Sequence, residues 1–415
     1  MTSTAPSVVR APDGESGLLR SAETALARGP GAGPSWLAGL RREASVWFGA
    51  HGFPTQRLEA FRFTPVREAL RAPLAFVGTE APAAAVEGDG VSALSLEAAL
   101  AKMPDRLEET LGRGAALRDG FGALSAALLA DVLVVVASRG ARGTVRVAGR
   151  VGTASAVAMP RIVVLAERES TLTLVETHVG PELSPLTLAT TEVFVGEDAS
   201  VEHVRIHDGA ADARALATLN VSQARNSRYT ARVFAFGGAL SRLDLAVTLA
   251  GAGAECALEG LYLTSGADLV DHHTTVDHAS PNATSRQRFK GLVGGSGTAV
   301  FDGTVIVRPD ASRTEAHQEN RNLLLSGDAV VHAKPHLRID TDDVKCSHGA
   351  TVGRLDPVQL FYLRSRGMDL ETARAVLTVA FAREIVLGVS DEKTRAALDA
   401  RLSRAFPGGI LEGGA

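Results

Sequence analysis

Cysteine is nearly absent from this chain: Cys256 and Cys346 are the only two in 415 residues. So few, and so far apart, they exclude a disulfide framework and suit a reducing compartment. Aromatic residues are scarce too, at 5%, so the core has to rest on Val, Leu, Ile and Ala, which favours stacked strands over aromatic-rich pockets. A net charge of -4 and a pI near 6.3 leave no global attraction to nucleic acid or to an anionic membrane. The Arg-rich segments are interleaved with acidic residues and read as solvated faces. Apolar runs are short, and the stretch from Leu128 to Ala137 is interrupted by Asp131, so no membrane span is expected. The opening MTSTAPSVVRAPDGESG lacks a basic segment followed by an apolar core, so no secretory signal is expected and a soluble, cytoplasmic protein is. Walker A, GxSxG, HExxH and CxxC motifs are missing, and GGSG at 294–297 is not followed by Lys-Ser/Thr. Together these absences argue against a self-contained hydrolase or dehydrogenase.

What is present is organised by period. Residues 1–17 are polar and Pro/Gly-containing, and read as a disordered tail. Residues 18–130 read as a helical region. Trp36, Leu37, Leu40, Ala44 and Phe48 form a buried stripe, ended by His51-Gly52-Phe53-Pro54. Within this region, 72–92 reads as a linker or extended crossing. A second helical stretch runs from Leu94 to Leu129, with Ser95 at a helix start. From Asp131 the texture changes to short β-branched runs separated by turn residues. STLTLVET (170–177), ASVEHVRI (199–206), SRYTARVF (227–234), ECALEGLY (255–262) and SRQRFKGL (285–292) begin about 28 to 30 residues apart. Lead-ins such as Glu-Asp-Ala, Ala-Arg-Asn and Gly-Ala-Gly-Ala precede them. A period in this range fits a parallel β-helix over 131–353, one coil per repeat, with the helical ends covering its open coils. Residues 354–415 read as capped helices. Asp356 is the N-cap with Pro357 at N1 and Gln359 at N3, and Gly367 is the stop. Asp369 opens the next helix, with Ala373, Val376, Leu377, Ala380 and Phe381 on one face. A last helix follows from Ser390, carrying Leu398 and Leu402.

Seven of the eleven histidines fall between His272 and His348. In a strand, His272 and His278 share a face and His273 points the other way, so DHHTTVDH is compatible with hydrogen-bonded coil residues or with metal ligands. Cys346 and His348, two apart in KCSHG, project to one side of an extended strand. A thiolate and an imidazole suit iron or zinc, yet two donors do not close a tetrahedral site, so further ligands would come from a partner or from sulfide. A small buried Cys beside a surface His, without a ligand role, fits the same residues. Cys256, inside an apolar repeat, reads as core.

The run from Ser285 to Asp369, through KCSHGATVG, resembles the SufB/SufD family of iron–sulfur cluster assembly proteins. The similarity extends over DHHTTVDH and the helical tail, and more loosely over the strands from about 160. KCSHGATVG and the N-terminal GFPTQRLEAFRF are most similar to SufD, although Phe61-Arg62-Phe63 stands where the family more often has Trp-Lys-Tyr, and 72–118 diverges. The resemblance implies a mainly β fold, a right-handed parallel β-helix flanked by N-terminal and C-terminal helical regions. It implies partnership with a SufB-like subunit and a SufC-like ABC ATPase that binds the nucleotide itself. Cys346 and His348 would meet iron or a transient cluster at the SufB interface. Asp356, Gln359, Leu360, Phe361, Tyr362, Leu363 and Arg366 would dock SufC. A SufB-like homodimeric scaffold, a homodimer of the isolated chain, and a purely structural β-helix subunit remain compatible with the same residues. A carbohydrate-active β-helix would need an acidic ladder, which the sequence does not display.

Overall fold

Two strands per repeat produce the period. The computed structural model describes residues 15–27, 33–70, 75–76, 78–113, 119–149, 157–180 and 186–409. Its strands are β1 (Ala83–Leu94), β2 (Leu133–Ala148), β3 (Arg161–Ala166), β4 (Thr171–Gly180), β5 (Leu186–Val195), β6 (Ser200–Gly209), β7 (Arg214–Gln223) and β8 (Arg228–Phe236). They continue as β9 (Leu240–Leu249), β10 (Glu255–Thr264), β11 (Leu269–His278), β12 (Thr284–Val293), β13 (Thr298–Val307), β14 (Thr314–Leu324), β15 (Val330–Ile339) and β16 (Val344–Gly353). Even-numbered strands from β2 to β16 form one parallel ladder and odd-numbered strands from β3 to β15 the other. β2 belongs to both: Leu133–Ala137 pairs with β3 and Arg142–Ala148 with β4. The chain is thus a parallel β-solenoid of about seven turns. Its register advances by between 26 residues (Arg214 to Leu240) and 32 (Thr298 to Val330) per coil.

The same corner of successive coils, up to that before β14, turns through a single left-handed residue: Gly140, Glu169, Asp198, Asn226, Gly253, Asn282 and Arg313. Gly, Asn and Asp tolerate this backbone best, and the lead-ins seen in the sequence are these corners. Each turn stacks on the next, as in Asn226 Nδ2 donating to Asp198 Oδ1 at 3.1 Å.

Inside, alternate residues of both ladders fill the lumen with aliphatic side chains such as Val135, Val145, Leu172, Leu174, Val193 and Leu245. Outside, the helices cover the flanks. α1 (Glu15–Leu26), α2 (Ser35–His51), α3 (Val66–Ala69), α4 (Leu96–Lys102), α5 (Pro104–Thr110) and α6 (Gly120–Ala127) precede or interrupt the first strands. Phe48, Phe61 and Phe121 pack on Leu186, Leu216, Leu240 and Leu269 of the odd ladder. α7 (Pro357–Ser365), α8 (Leu370–Val386) and α9 (Glu392–Ala405) follow the last strand. Through Ala382, Ile385, Val386, Leu398 and Leu402 the last two bury Phe234, Phe236, Leu261 and Leu292 of the even ladder. Each such side chain contributes roughly 1.5–3 kcal/mol on burial.

Several expectations change here. The chain is helical from Glu15, so the expected tail over 1–17 ends sooner, and residues 1–14 lie outside the described ones. The stretch read as a linker contains β1, which pairs antiparallel along β2 and covers the start of the solenoid. The helices sheathe the flanks and do not plug the far end, because outward-facing Phe and Leu on the strands give them an apolar surface there. In α8 the buried face is Ala373, Ala375, Val379, Ala382 and Ile385, whereas Ala380 is exposed and Val376, Leu377 and Phe381 are half-buried. Docking on the aromatic flank rotates the helix by about one residue from the expected stripe. Not every arginine is solvated. Arg161 is buried against Glu192 at 2.7 Å. Arg242 is buried against Asp244 and Asp271, each at 2.7 Å, with Phe61 4.1 Å beneath its guanidinium.

Part of the lumen is polar. Glu176 accepts from His178 at 2.6 Å, His203 at 3.1 Å, Arg205 at 3.2 Å and Thr191 at 3.1 Å. Burial alone would raise this carboxyl, but Arg205 and the two imidazoles outweigh it and hold it well below the usual range. Burial pushes His207 down to about 3, and His272 and His278 to about 4. The folded chain keeps these rings neutral, whereas unfolded histidine takes up a proton near 6.5. Between pH 6.5 and 4 the unfolded state therefore binds more protons, and stability falls as pH falls. With three rings engaged the slope reaches the order of 4 kcal/mol per pH unit. The urea midpoint is expected to drop steeply across this window and to stay level above pH 7. A midpoint that is flat from pH 7 to 5 overturns this account of the lumen.

Candidate functional site at the open end of the solenoid

None of the described residues covers the last coil of the solenoid. Among the described residues β16 pairs only with β14, and β15 only with β13, so each keeps one unpaired backbone edge. Apolar side chains sit along these edges, with Val330 42%, Ile339 39% and Val352 49% exposed. Unpaired strand edges of this kind are templates for another chain.

Cys346 and His348 stand on β16, opposite Ala316 and Gln318 of β14. They share the strand phase of Val344, and Cys346 packs beside Val305, Val307, Ala311 and Ala316. Their Cα atoms are roughly 7 Å apart along the strand. Cys346 is half-buried and His348 exposed. Burial pushes the Cys346 thiol up, partly offset by a hydrogen bond from the Ala316 backbone. A metal therefore has to displace the thiol proton before sulfur becomes a ligand. Among the described residues no group of three or more His, Cys, Asp or Glu is placed to hold a metal ion. What the end coil presents is two donors on an open edge, fewer than the four of a closed tetrahedral site.

The remaining histidines of the cluster have other occupations. His272 lies in the lumen, edge-on to Tyr262 at 5.5 Å and Phe289 at 6.0 Å, and His278 bonds Ser285 Oγ at 2.8 Å. His273 faces outward and meets Asp271 at 2.8 Å. His332 stacks on Phe63 at 4.1 Å, and Cys256 is buried.

Just past the end coil, α7 buries no residue. Asp356 caps it through Val358 N at 2.8 Å, and Gln359 is exposed. Leu360 and Leu363 are half-buried, while Val358, Phe361 and Tyr362 are 72%, 73% and 56% exposed. Arg366 lies over the Tyr362 ring at 5.4 Å. The structure places all seven residues expected to dock a partner on or beside this short helix, with their largest apolar members in solvent. Such a patch is unusual for a surface facing only water.

Sequence reasoning missed the Glu176 network and the Arg242 cluster. The signal was there in the coil alignment, which sets Glu176 opposite Arg205 and His178 opposite His207. No helix is long and apolar enough to cross a membrane among the described residues.

The structure is thus a mainly parallel β-solenoid sheathed by terminal helices, with a thiol and an imidazole on a last strand that keeps one edge unpaired among the described residues. Residues 149–381 match the SUF system FeS cluster assembly, SufBD core domain, and the chain belongs to that family. It is 35% identical over 252 residues to an iron-sulfur cluster assembly SufBD family protein of Synechocystis, covering 59% of this chain and 55% of that one. It is 34% identical over 217 residues to the iron-sulfur cluster assembly protein SufD of Escherichia coli, covering 52% and 51%. Over 96 residues it is 42% identical to SufD of Bacillus subtilis, covering 23% and 22%. The chain thus spans about half the length of the first two relatives.

Proposed function

We propose that this chain is the SufD-like subunit of a SufBCD-type scaffold, acting without catalysis of its own. The observation that supports this most is the pairing of an unpaired terminal edge with an incomplete donor set at Cys346 and His348. A sister solenoid, SufB-like, adds to the open edge by strand pairing, which gives affinity through main-chain bonds. The sister chain supplies the ligands missing here, and iron or a nascent iron–sulfur cluster is transient cargo between the two. A SufC-like ATPase docks on α7 and carries the nucleotide. α8 links that docking surface to the coils, since Glu384 pairs with Arg288 and Lys290 of β12, and Lys290 Nζ donates to Phe381 O at 2.9 Å. The assembly works in the cytosol.

Replacing Phe361 and Tyr362 together with Asp tests the docking surface. Both side chains are largely exposed, so the fold is expected to survive. Loss of two aromatic anchors, worth about 2 kcal/mol or more, lowers ATPase capture at least 30-fold. The sister subunit stays bound in the same pull-down. Undiminished capture of the ATPase overturns the assignment of α7.

A further inference from the structure

The outer face of the even ladder carries a groove of about 680 Å³ that runs along the solenoid and opens at β16. One of its walls is a column of side chains on successive coils. Arg286 on β12 stands opposite His317 on β14, which stands opposite Ser347 on β16. Neighbouring strands lie about 4.8 Å apart, so guanidinium, imidazole and hydroxyl follow one another at that interval. His317 Nδ1 and Ser347 Oγ are 2.8 Å apart. The hydroxyl donating to Nδ1 leaves Nε2–H as the ring's outward donor.

Among the described residues nothing balances the charge on this wall. Arg286 is exposed, and no ion pair, hydrogen bond or ring contact engages it among the described residues. The carboxylates on either side of His317 are already taken, Glu319 by Arg321 at 2.5 Å and Glu315 by Lys345 at 3.2 Å. In the opposite wall, Arg288 is held by Glu259 at 2.6 Å and by Glu384. A pocket of this volume lies in the range of small-molecule sites, and a planar five-donor guanidinium matches phosphate and carboxylate oxygens in pairs.

We infer that Arg286, His317 and Ser347 form a seat for a small free oxyanion on the outer face of the last three coils. The ligand has at least two oxygens in one plane, as phosphate or a small polycarboxylate has. Arg286 holds two of them and His317 Nε2–H donates to a third, while Ser347, its proton given to Nδ1, fixes the ring. Ser347 is adjacent to His348 in the chain, so an anion seated there stands beside the donor-bearing strand. This site is independent of partner docking and does not stand or fall with it.

Titration of the full-length chain with inorganic phosphate and, separately, with citrate at low ionic strength tests the seat. Binding is expected to weaken at least tenfold in Arg286→Gln and measurably in His317→Ala, and to fall with added salt. Arg338→Gln, which removes an arginine paired with Asp340 on the other ladder, is expected to leave it unchanged. All three substituted residues are exposed, so unfolding does not confuse the result, and thermal melts of the variants confirm it. Phosphate binding alone marks a phosphoryl ligand, and citrate binding alone a polycarboxylate. Binding of neither ion overturns the inference, as does equal weakening by Arg338→Gln or an Arg286→Gln variant that binds like wild type.

Discussion

Glu176→Ala is expected to lower the stability of this protein by about 3–5 kcal/mol, the range for removing one partner of a buried ion pair. The carboxylate is the common acceptor for His178, His203, Arg205 and Thr191. Its removal leaves a guanidinium, two imidazoles and a hydroxyl facing each other in a buried part of the lumen. The Arg205 side chain is only 8% exposed, so its charge finds little solvent to replace the lost partner. A buried group without its partner loses the full desolvation free energy, and the network spans β4, β5 and β6, so two ladders loosen together. Against a typical total of about 5–15 kcal/mol, such a loss leaves a chain that unfolds at much lower urea. Glu176→Gln keeps one acceptor oxygen and the shape, and is expected to fall between. Far-UV circular dichroism against urea measures both variants. An alanine variant within about 1 kcal/mol of wild type would show that the network contributes nothing.

His348→Ala is expected to leave the fold intact and to reduce cluster formation in the reconstituted assembly by at least tenfold. The imidazole is exposed, and surface substitutions of this kind change stability by about 0.5 kcal/mol or less. Loss of an outer partner of a metal ligand already lowers affinity or activity 10–100-fold, and loss of the ligand itself is at least as severe. Cys346→Ser keeps the volume beside Val305 and Val307 but removes the sulfur, and is expected to act alike. Because burial raises the Cys346 thiol, iron loading is expected to release a proton and to speed up as pH rises toward the thiol's range. Ultraviolet–visible spectra and iron content of the assembled complex report the outcome. A His348→Ala complex that builds clusters at the wild-type rate would refute the site assignment.

Local features were legible before any coordinates. The period was visible because each coil repeats one strand-and-corner pattern. Glu-Asp-Ala, Ala-Arg-Asn and Gly-Ala-Gly-Ala marked the corners because each of these turns through a left-handed residue, Asp198, Asn226 and Gly253. Ser95, Asp356 and Asp369 announced their helices because an N-cap acts on amides two or three residues away. The common phase of Cys346 and His348 followed from strand alternation alone. By contrast, the helix face of α8 was misplaced and two arginines were read as solvated. Both depend on which surface meets which, and no short window of sequence contains that. The charge column of Arg286, His317 and Ser347 was invisible for the same reason.

The amino-acid order by itself determined coil length, corner residues, helix starts and the pairing of a thiol with an imidazole on one strand face. Those properties arise from interactions between residues a few positions apart. Only winding the chain decided that β16 would be last with one edge left open, that Glu176 would sit among three basic side chains, and that an arginine, a histidine and a serine would line one groove. Residues about thirty positions apart become neighbours only when one coil stacks on the next, and the surface left without a neighbour exists only at the end of the stack.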